Sequence, residues 1–482
     1  MTKVRINDKG FGGAQYSRIS PEQCQRLHDA SLEIMARTGA RLYDQEAVDL
    51  LKSAGASVSE GNRVRVPAGL VEKAFDTVPR EVTLYDRLGR PALYLEGGNC
   101  YYGPGSDCLN IIDHRTGERR KPVLQDIVEG MTVCDALPHI DFVMSLFLPS
   151  DVNGMVSDRY QMEAMLSGTT KPILYVTNEF SGCVDAVEMS EIVAGGAESL
   201  KSKPFAACYI NVTSGLRHNQ EALQKLLFLA DEGLPVLYIP VVDCGINAPV
   251  TPAAGVALVN AGVLIGLVLS QLRREGAPYI IPGWGGEGLD MRTMVSPYCA
   301  PDPKGMAHAL AQFYNLPMFG IGGCSESKLV DQQAAAEAAL TLMAETLGGA
   351  NLIHDLGYLE SGLCGSFAQL VISNEIVDWI EHLVSPIEIS DETLALDLID
   401  QMGPDGQFLD SSHTMAHFRE RWYPQVFERG NYHQWQAAGG KSLGERAVKR
   451  VIEILENHQP EPLPQEVARR VHAVVERAEA EV

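Results

Sequence analysis

An apolar run ending at Ile321 is followed by a turn of small residues. That turn packs Ser325, Glu326, Lys328 and Asp331 ahead of an Ala-rich stretch over 332–347. The pattern reads as strand, polar loop, helix. In α/β proteins the loops at the C-terminal ends of strands are where polar groups converge on a small molecule. The same arrangement recurs along the chain. Apolar runs give way to Ser145 and Phe147, to Asn178 and Glu179, to Asn211 and Ser214, to Asp243 and Asn247, to Trp284 and Glu287, and to His354, Tyr358 and Glu360. Together these residues are rich in aromatics, amides and carboxylates and poor in Lys and Arg. Aromatic faces and carboxylates attract a cation, whereas a phosphate would need the basic groups that are missing.

Within this set His354 and Glu326 are the candidate catalytic groups. A strand-end histidine beside Asp355 is suited to acid, base or ligand work, and a satisfied structural histidine is the alternative. Trp284, Tyr358, Phe147, Asn178, Asn211, Asp243, Gly323 and Tyr102 are the candidate substrate-binding residues. Trp284 lies among Gly283, Gly285, Gly286 and Gly288, and glycines let backbone approach a ligand closely. A packed loop-tip tryptophan fits the same residues. Asp243 serves equally well as a partner for a nearby backbone amide. Tyr101 and Tyr102 are neighbours on a β-like run, so at most one of them faces a site. His413 and His417 are four residues apart, a spacing that can bind metal. No Glu completes an HExxH pattern there, so a helix-cap role is the expectation and no metal is assigned. Cys324 and Cys364 lack an evident histidine partner and are not read as nucleophiles.

The elements that must position these groups alternate. Strand candidates are 140–148, 172–177, 205–212, 235–242, 279–282, 318–321 and 351–354, with helices such as 185–195, 219–230 and 304–314 between them. Lys-Pro or Leu-Pro pairs precede several of the strands, at Pro172, Pro204, Pro235 and Pro317. Strand–helix alternation of this extent implies an α/β fold with a parallel sheet, and the number of units favours a closed (β/α)8 TIM barrel. No GxGxxG opens a first unit, which weighs against a dinucleotide fold. Residues 1–120 are expected to form a helical and β extension, 121–440 the barrel, and 441–482 a helical tail.

Composition sets the limits. The chain has 482 residues, 45% of them hydrophobic, and a formal charge of −23. That charge excludes a nucleic-acid footprint and disfavours an anionic membrane surface. The run 253–272 is nearly long enough to span a bilayer, but it carries Asn260 and is read as a buried helix between strands. The first residues, Met1 to Arg5, show no apolar stretch of the secretory kind. Ten scattered cysteines without a CxxC pair suit a reduced, cytoplasmic compartment. A homo-oligomer is the default expectation.

One resemblance ties these features together. Gly322 and Gly323 through Asp331, Gln332 and Gln333 with Glu337, the run Gly349 to His354, and Asp243 with Ala248 to Thr251 resemble the trimethylamine methyltransferase superfamily. Residues 64–87 and 403–424 also resemble it, so the likeness covers nearly the whole chain. It implies a TIM barrel that moves a methyl group from an amine nitrogen to the cobalt(I) of a corrinoid. Founding members carry pyrrolysine, and only standard residues occupy the region after Gly322 here. Members without pyrrolysine demethylate quaternary amines, so a quaternary amine is the implied substrate, glycine betaine first. No Asp-x-His-x-x-Gly motif is present. The corrinoid (cobalamin) is therefore expected on a separate corrinoid-binding protein. The rival readings are a barrel hydrolase using a carboxylate pair from Glu287, Glu326 and Glu360, and a cytosolic betaine-binding sensor.

Overall fold

The computed structural model describes residues 16–482. The segment 1–15, on which the reading of the chain's start rests, lies outside them. A hairpin of β1 (Val82–Tyr85) and β2 (Pro91–Leu95) precedes β3 (Tyr101–Pro104). There follow β4 (Ile173–Val176), β5 (Ala206–Val212), β6 (Val236–Pro240), β7 (Tyr279–Pro282), β8 (Met318–Ile321) and β9 (Leu352–Leu356). From β3 to β9 these make one seven-stranded sheet in the order β3-β9-β8-β7-β6-β5-β4. Every pairing in it is parallel. Parallel sheets are covered on both faces, which explains why β6 to β9 are buried throughout.

The helices α1 (Leu124–Ala136), α2 (Ser157–Gly168), α3 (Phe180–Ala194), α4 (Gln220–Glu232), α5 (Pro252–Arg273), α6 (Met306–Tyr314), α7 (Gln332–Gly348) and α8 (Phe367–Val384) form the outer layer. Pro172, Pro235 and Pro317 stand one residue before their strands. Proline has no N–H to give a ladder, but its carbonyl still accepts. Cys208 and Ile281 donate to the carbonyls of Pro235 and Pro317 at 3.2 and 3.0 Å.

The structure departs from expectation in two places. Tyr101–Pro104, assigned from the sequence to the N-terminal extension, is an edge strand of the central sheet beside β9. The segment 140–148, expected as a strand, makes only isolated parallel bridges, Val143 with Ile173 and Phe147 with Cys108. Its irregularity has a local cause, since Leu146 takes φ +64° and cannot continue an extended ladder. Even so, the segment touches both sheet edges. Asp141 N–H donates to Tyr102 C=O at 2.7 Å, and Leu174 N–H donates to Val143 C=O at 2.9 Å. The closed eight-stranded barrel is thus met in part, by seven regular strands and an irregular span between their edges.

One core fills the inside of this curl. Tyr101, Phe142, Met144, Leu174, Ala207, Leu237, Ile239, Ile280, Phe319 and Leu352 pack there with Val82, Leu84, Leu93 and Leu95 of the β1–β2 hairpin. The hairpin therefore plugs one end and leaves the strand C-termini for a site. A larger core lies between sheet and helices. Helix α5 is apolar on all sides and buried along most of its length, as such helices are. Its two amides are satisfied, with Asn260 Nδ2 donating to Ser31 Oγ at 2.8 Å and to the Tyr314 hydroxyl at 2.9 Å, and Gln271 Nε2 to Ala277 C=O at 2.9 Å.

Beyond α8 come four short helices, among them α9 (Asp391–Leu394) and α10 (Ser412–His417), then α11 (Leu443–Asn457) and α12 (Gln465–Ala480). Helix α11 docks on α8 and α1, and α12 docks on α3 and α2. All ten cysteines are unpaired.

Candidate active site

The strand ends meet around His354. Register places His354 beside Ile321 on β8. Its ring stacks on Phe319, with centroids 5.5 Å apart and planes at 25°, and meets Tyr209 edge-on at 5.5 Å. Tyr209 and Phe319 are themselves 5.5 Å apart, so the three rings form one aromatic cluster at the top of the inner core. Asp355 Oδ1 lies 2.7 Å from His354 Nδ1. Asp355 accepts in that contact, so the imidazole proton sits on Nδ1. The buried Nε2 has no hydrogen-bond partner among the described residues. A buried polar atom without a partner is costly, so such an atom is left to meet a water, a ligand or a reacting group.

Asp355 sits among phenols. The Tyr358 hydroxyl donates to Ser106 C=O. A Cβ on Gly105 would collide with both Asp355 Oδ1 and the Tyr358 hydroxyl, so only glycine fits there. Burial pushes the phenols of Tyr209, Tyr298 and Tyr358 well up, and the Asp355 charge adds to each. All three remain neutral donors at physiological pH.

The loop after β7 adds Trp284 and Glu287. Trp284 Nε1 and Glu287 Oε2 are buried without partners among the described residues. Burial raises the Glu287 carboxyl above its ordinary range, against the pull of Lys304. Lys304 is committed elsewhere. Its Nζ donates to Ile321 C=O at 3.0 Å and to Glu345 Oε1 at 3.1 Å. Glu345 Oε2 lies 2.6 Å from His308 Nε2. Burial opposes ionisation of Glu345, but the contacts with His308 and Lys304 outweigh it and its pKa is lowered.

The sequence candidates divide accordingly. His354, Tyr358 and Trp284 belong to this end of the barrel. Asn211, at the exposed end of β5, continues the parity of Tyr209, and Asp243 Oδ1 accepts from Ser296 Oγ at 3.0 Å. Glu326 is a clamp, because Oε1 accepts from Cys299 N–H at 2.9 Å and Oε2 from Ser361 Oγ at 2.6 Å. That joins the loops after β7 and β9 and leaves neither oxygen free. Four candidates lie apart. Asn178 is exposed and donates to Gly154 C=O at 3.1 Å. Phe147 packs on Phe367 of α8, with centroids 5.8 Å apart. Gly323 donates its N–H to Thr341 Oγ1 at 3.0 Å and packs on Leu356. Tyr102 points into the helix layer, its hydroxyl 2.8 Å from Thr346 Oγ1. Tyr209, Phe319, Tyr298 and a role for Asp355 were missed. The period-two rule applied backwards from Asn211 finds Tyr209.

The strand ends thus gather aromatic rings, phenols and carboxylates on an α/β scaffold, the setting of a methyltransferase family. The chain belongs to the trimethylamine methyltransferase (MTTB) family, whose profile matches residues 10–482. It is 33% identical over 478 residues to the trimethylamine methyltransferase MttB of Desulfitobacterium hafniense (strain DSM 10664 / DCB-2), covering 98% of this chain and 95% of that one. It is 29% identical over 475 residues to the glycine betaine methyltransferase of Desulfitobacterium hafniense (strain Y51), covering 97% and 98%. The crystal structure of the Methanosarcina barkeri monomethylamine methyltransferase (MtmB) superposes with a TM-score of 0.51 at 11% identity, over 92% of this chain and 89% of that one. That likeness concerns the fold.

Proposed function

We propose that this chain transfers a methyl group from a quaternary amine, glycine betaine first, to the cobalt(I) of a corrinoid carried by a separate protein, releasing the tertiary amine. In this reading the segment 141–147 serves as the eighth strand of a closed barrel. The observation that carries the proposal is the buried, unpartnered Nε2 of His354, held by Asp355 within an aromatic cluster. The family supplies the reaction class, and the named glycine betaine relative supplies the substrate.

The chemistry asks little of acids and bases. A quaternary nitrogen carries no proton, and loss of one methyl leaves a neutral tertiary amine as leaving group. The substrate's positive charge fades as the methyl carbon departs. A site that gripped the cation tightly would stabilise the ground state more than the transition state. Tyr209, Phe319, Tyr298 and Trp284 offer polarizable faces whose attraction is modest. Their task is to hold one N-methyl outward, within near-attack distance of the incoming nucleophile. The Tyr298 hydroxyl is a donor available to orient the rest of the molecule, and His354 Nε2, unprotonated while Nδ1 bonds Asp355, is available as an acceptor.

One observation favours a second substrate. Glu287 and Asp355 line this end, while Lys304 is spent on Glu345. A quaternary amine without a carboxylate would meet no repulsion there. The hydrolase reading loses its carboxylate pair, since Glu326 is fully bonded and Glu360 is tied to Arg119 at 2.9 Å.

The test is anaerobic absorbance of cobalt(I) cobalamin, with the cognate corrinoid protein supplied, against glycine betaine, carnitine, choline and trimethylamine. Methylcobalamin formed with one quaternary amine supports the proposal and names the substrate. Binding without conversion would instead make the chain a sensor.

A further inference from the structure

The stretch 391–440 lacks a core. Only Ser411, Pro424 and Val426 are buried in it, while Leu396 and Leu409 are 65% and 81% exposed. Helices as short as α9 and α10 do not hold themselves together in water. Segments that cannot bury enough apolar surface are fastened by disulfides, metals or partners. No cysteine lies in this stretch. Its far end is anchored, with Trp422 Nε1 donating to Asp378 Oδ2 and the amides of Gln425 and Phe427 to Glu375 Oε1, each at 2.9 Å. Nothing comparable ties α9 to α10 except one cluster.

We propose that Glu392, His413 and His417 bind a zinc ion that clips α9 to α10. One ligand atom from each of the three lies within 4.8 Å of the others. His417 Nε2 is 3.5 Å from Glu392 Oε1, and His413 Nε2 is 3.2 Å from the Glu392 carbonyl. A tetrahedral zinc with bonds near 2.0–2.1 Å needs its ligands about 3.4 Å apart, so small rotations of the exposed Glu392 side chain and the partly buried imidazoles complete the site. The two imidazoles share one helix face at a four-residue spacing, with ring centroids 4.4 Å apart. A second observation points to a metal. Glu420 holds His417 Nδ1 at 2.9 Å and thereby aims Nε2 at Glu392. That is the carboxylate–histidine–metal relay by which outer groups orient metal-binding imidazoles. Two nitrogens and one carboxylate suit zinc better than calcium or magnesium, which prefer oxygen alone. Water takes the fourth position.

The test uses the untagged full chain, stripped with a chelator and titrated calorimetrically with zinc chloride. The wild type is expected to take up one equivalent and, once loaded, to resist proteolysis between α9 and α10. Glu420→Gln should weaken binding by roughly tenfold. His417→Gln, and His413→Ala combined with it, should abolish the site while melting like the metal-free wild type, since these side chains carry little packing. Absence of saturable uptake by the wild type, or equal uptake by the double variant, would overturn the assignment. Methyl transfer does not enter the readout.

Discussion

His354 and Asp355 are sequence neighbours that bond to each other, Nδ1 to Oδ1 at 2.7 Å. Successive residues of a strand point to opposite faces, so the pair requires the ladder to break. It does, because Asp355 adopts φ +82° and the pairing with β3 slips between Ile353 and Leu356. Left-handed backbone at a non-glycine residue costs about 1–3 kcal/mol and gathers at functional sites. Asp355→Asn keeps the shape but can present an amide N–H to Nδ1 and so shift the imidazole proton to Nε2. Methyl transfer should fall by about tenfold, the worth of one misdirected hydrogen bond of about 1.4 kcal/mol. Nitrogen-15 NMR of His354 would show the tautomer change. An unchanged rate alongside a changed tautomer would remove His354 from the mechanism.

Glu287 makes a prediction with two signs. Burial raises its folded pKa above the unfolded value. Between those two values the folded chain binds more protons than the unfolded one, so stability falls as pH rises through that window. Above it the penalty is present in full. Glu287→Gln should therefore raise the melting temperature at neutral pH, with the gain shrinking as the pH is lowered toward the unfolded carboxylate range. The same change removes a carboxylate from the cation's surroundings, and KM for the amine should rise on the order of tenfold, about 1.4 kcal/mol. A Glu287→Gln variant that is stabilised but binds as before would place Glu287 outside the site.

Much of the architecture was legible because each strand run is apolar on both faces and each is followed by a polar loop and a helix. His354 and Trp284 were legible as unusual groups at strand ends. Other features were not. Leu146 carries no mark of its left-handed backbone, so 140–148 looks like any strand. Alternation shows that Tyr101 and Tyr102 face opposite ways but not which of them faces inward. Glu326 has the chemistry of a catalyst, yet its oxygens are consumed by Cys299 and Ser361, 27 and 35 residues away in the chain. Long-range partners of this kind leave no local trace.

The Lys304–Glu345–His308 group behind β8 should be costly to break. Glu345 is fully buried and Lys304 nearly so. Glu345→Gln leaves the Lys304 ammonium without its bonded counter-charge, and losing one member of a buried pair costs about 3–5 kcal/mol. Replacing the pair together, Lys304→Met with Glu345→Leu, should recover much of that loss. Thermal melts of the single and double variants check this. Equal loss in both would mean that the ion pair itself, and not the stranded charge, supplies the stability.

Tyr102 and Tyr209 separate packing from function. Both tyrosines lie on strands of the seven-stranded sheet, Tyr102 buried and Tyr209 partly so, but Tyr102 bonds Thr346 in the helix layer while Tyr209 packs edge-on against His354. Tyr102→Phe forfeits one buried hydrogen bond, about 1 kcal/mol of stability, and should leave kcat/KM unchanged. Tyr209→Phe keeps the ring and should retain most activity. Tyr209→Leu removes an aromatic contact worth roughly 0.5–1.5 kcal/mol from the group that orients His354. It should lower kcat/KM by about tenfold with a smaller change in melting temperature than its burial alone suggests. The ratio of kcat/KM loss to stability loss, measured for all three, decides the matter. If Tyr102→Phe lowers kcat/KM as far as Tyr209→Leu does, the site does not lie on the inner face of the sheet.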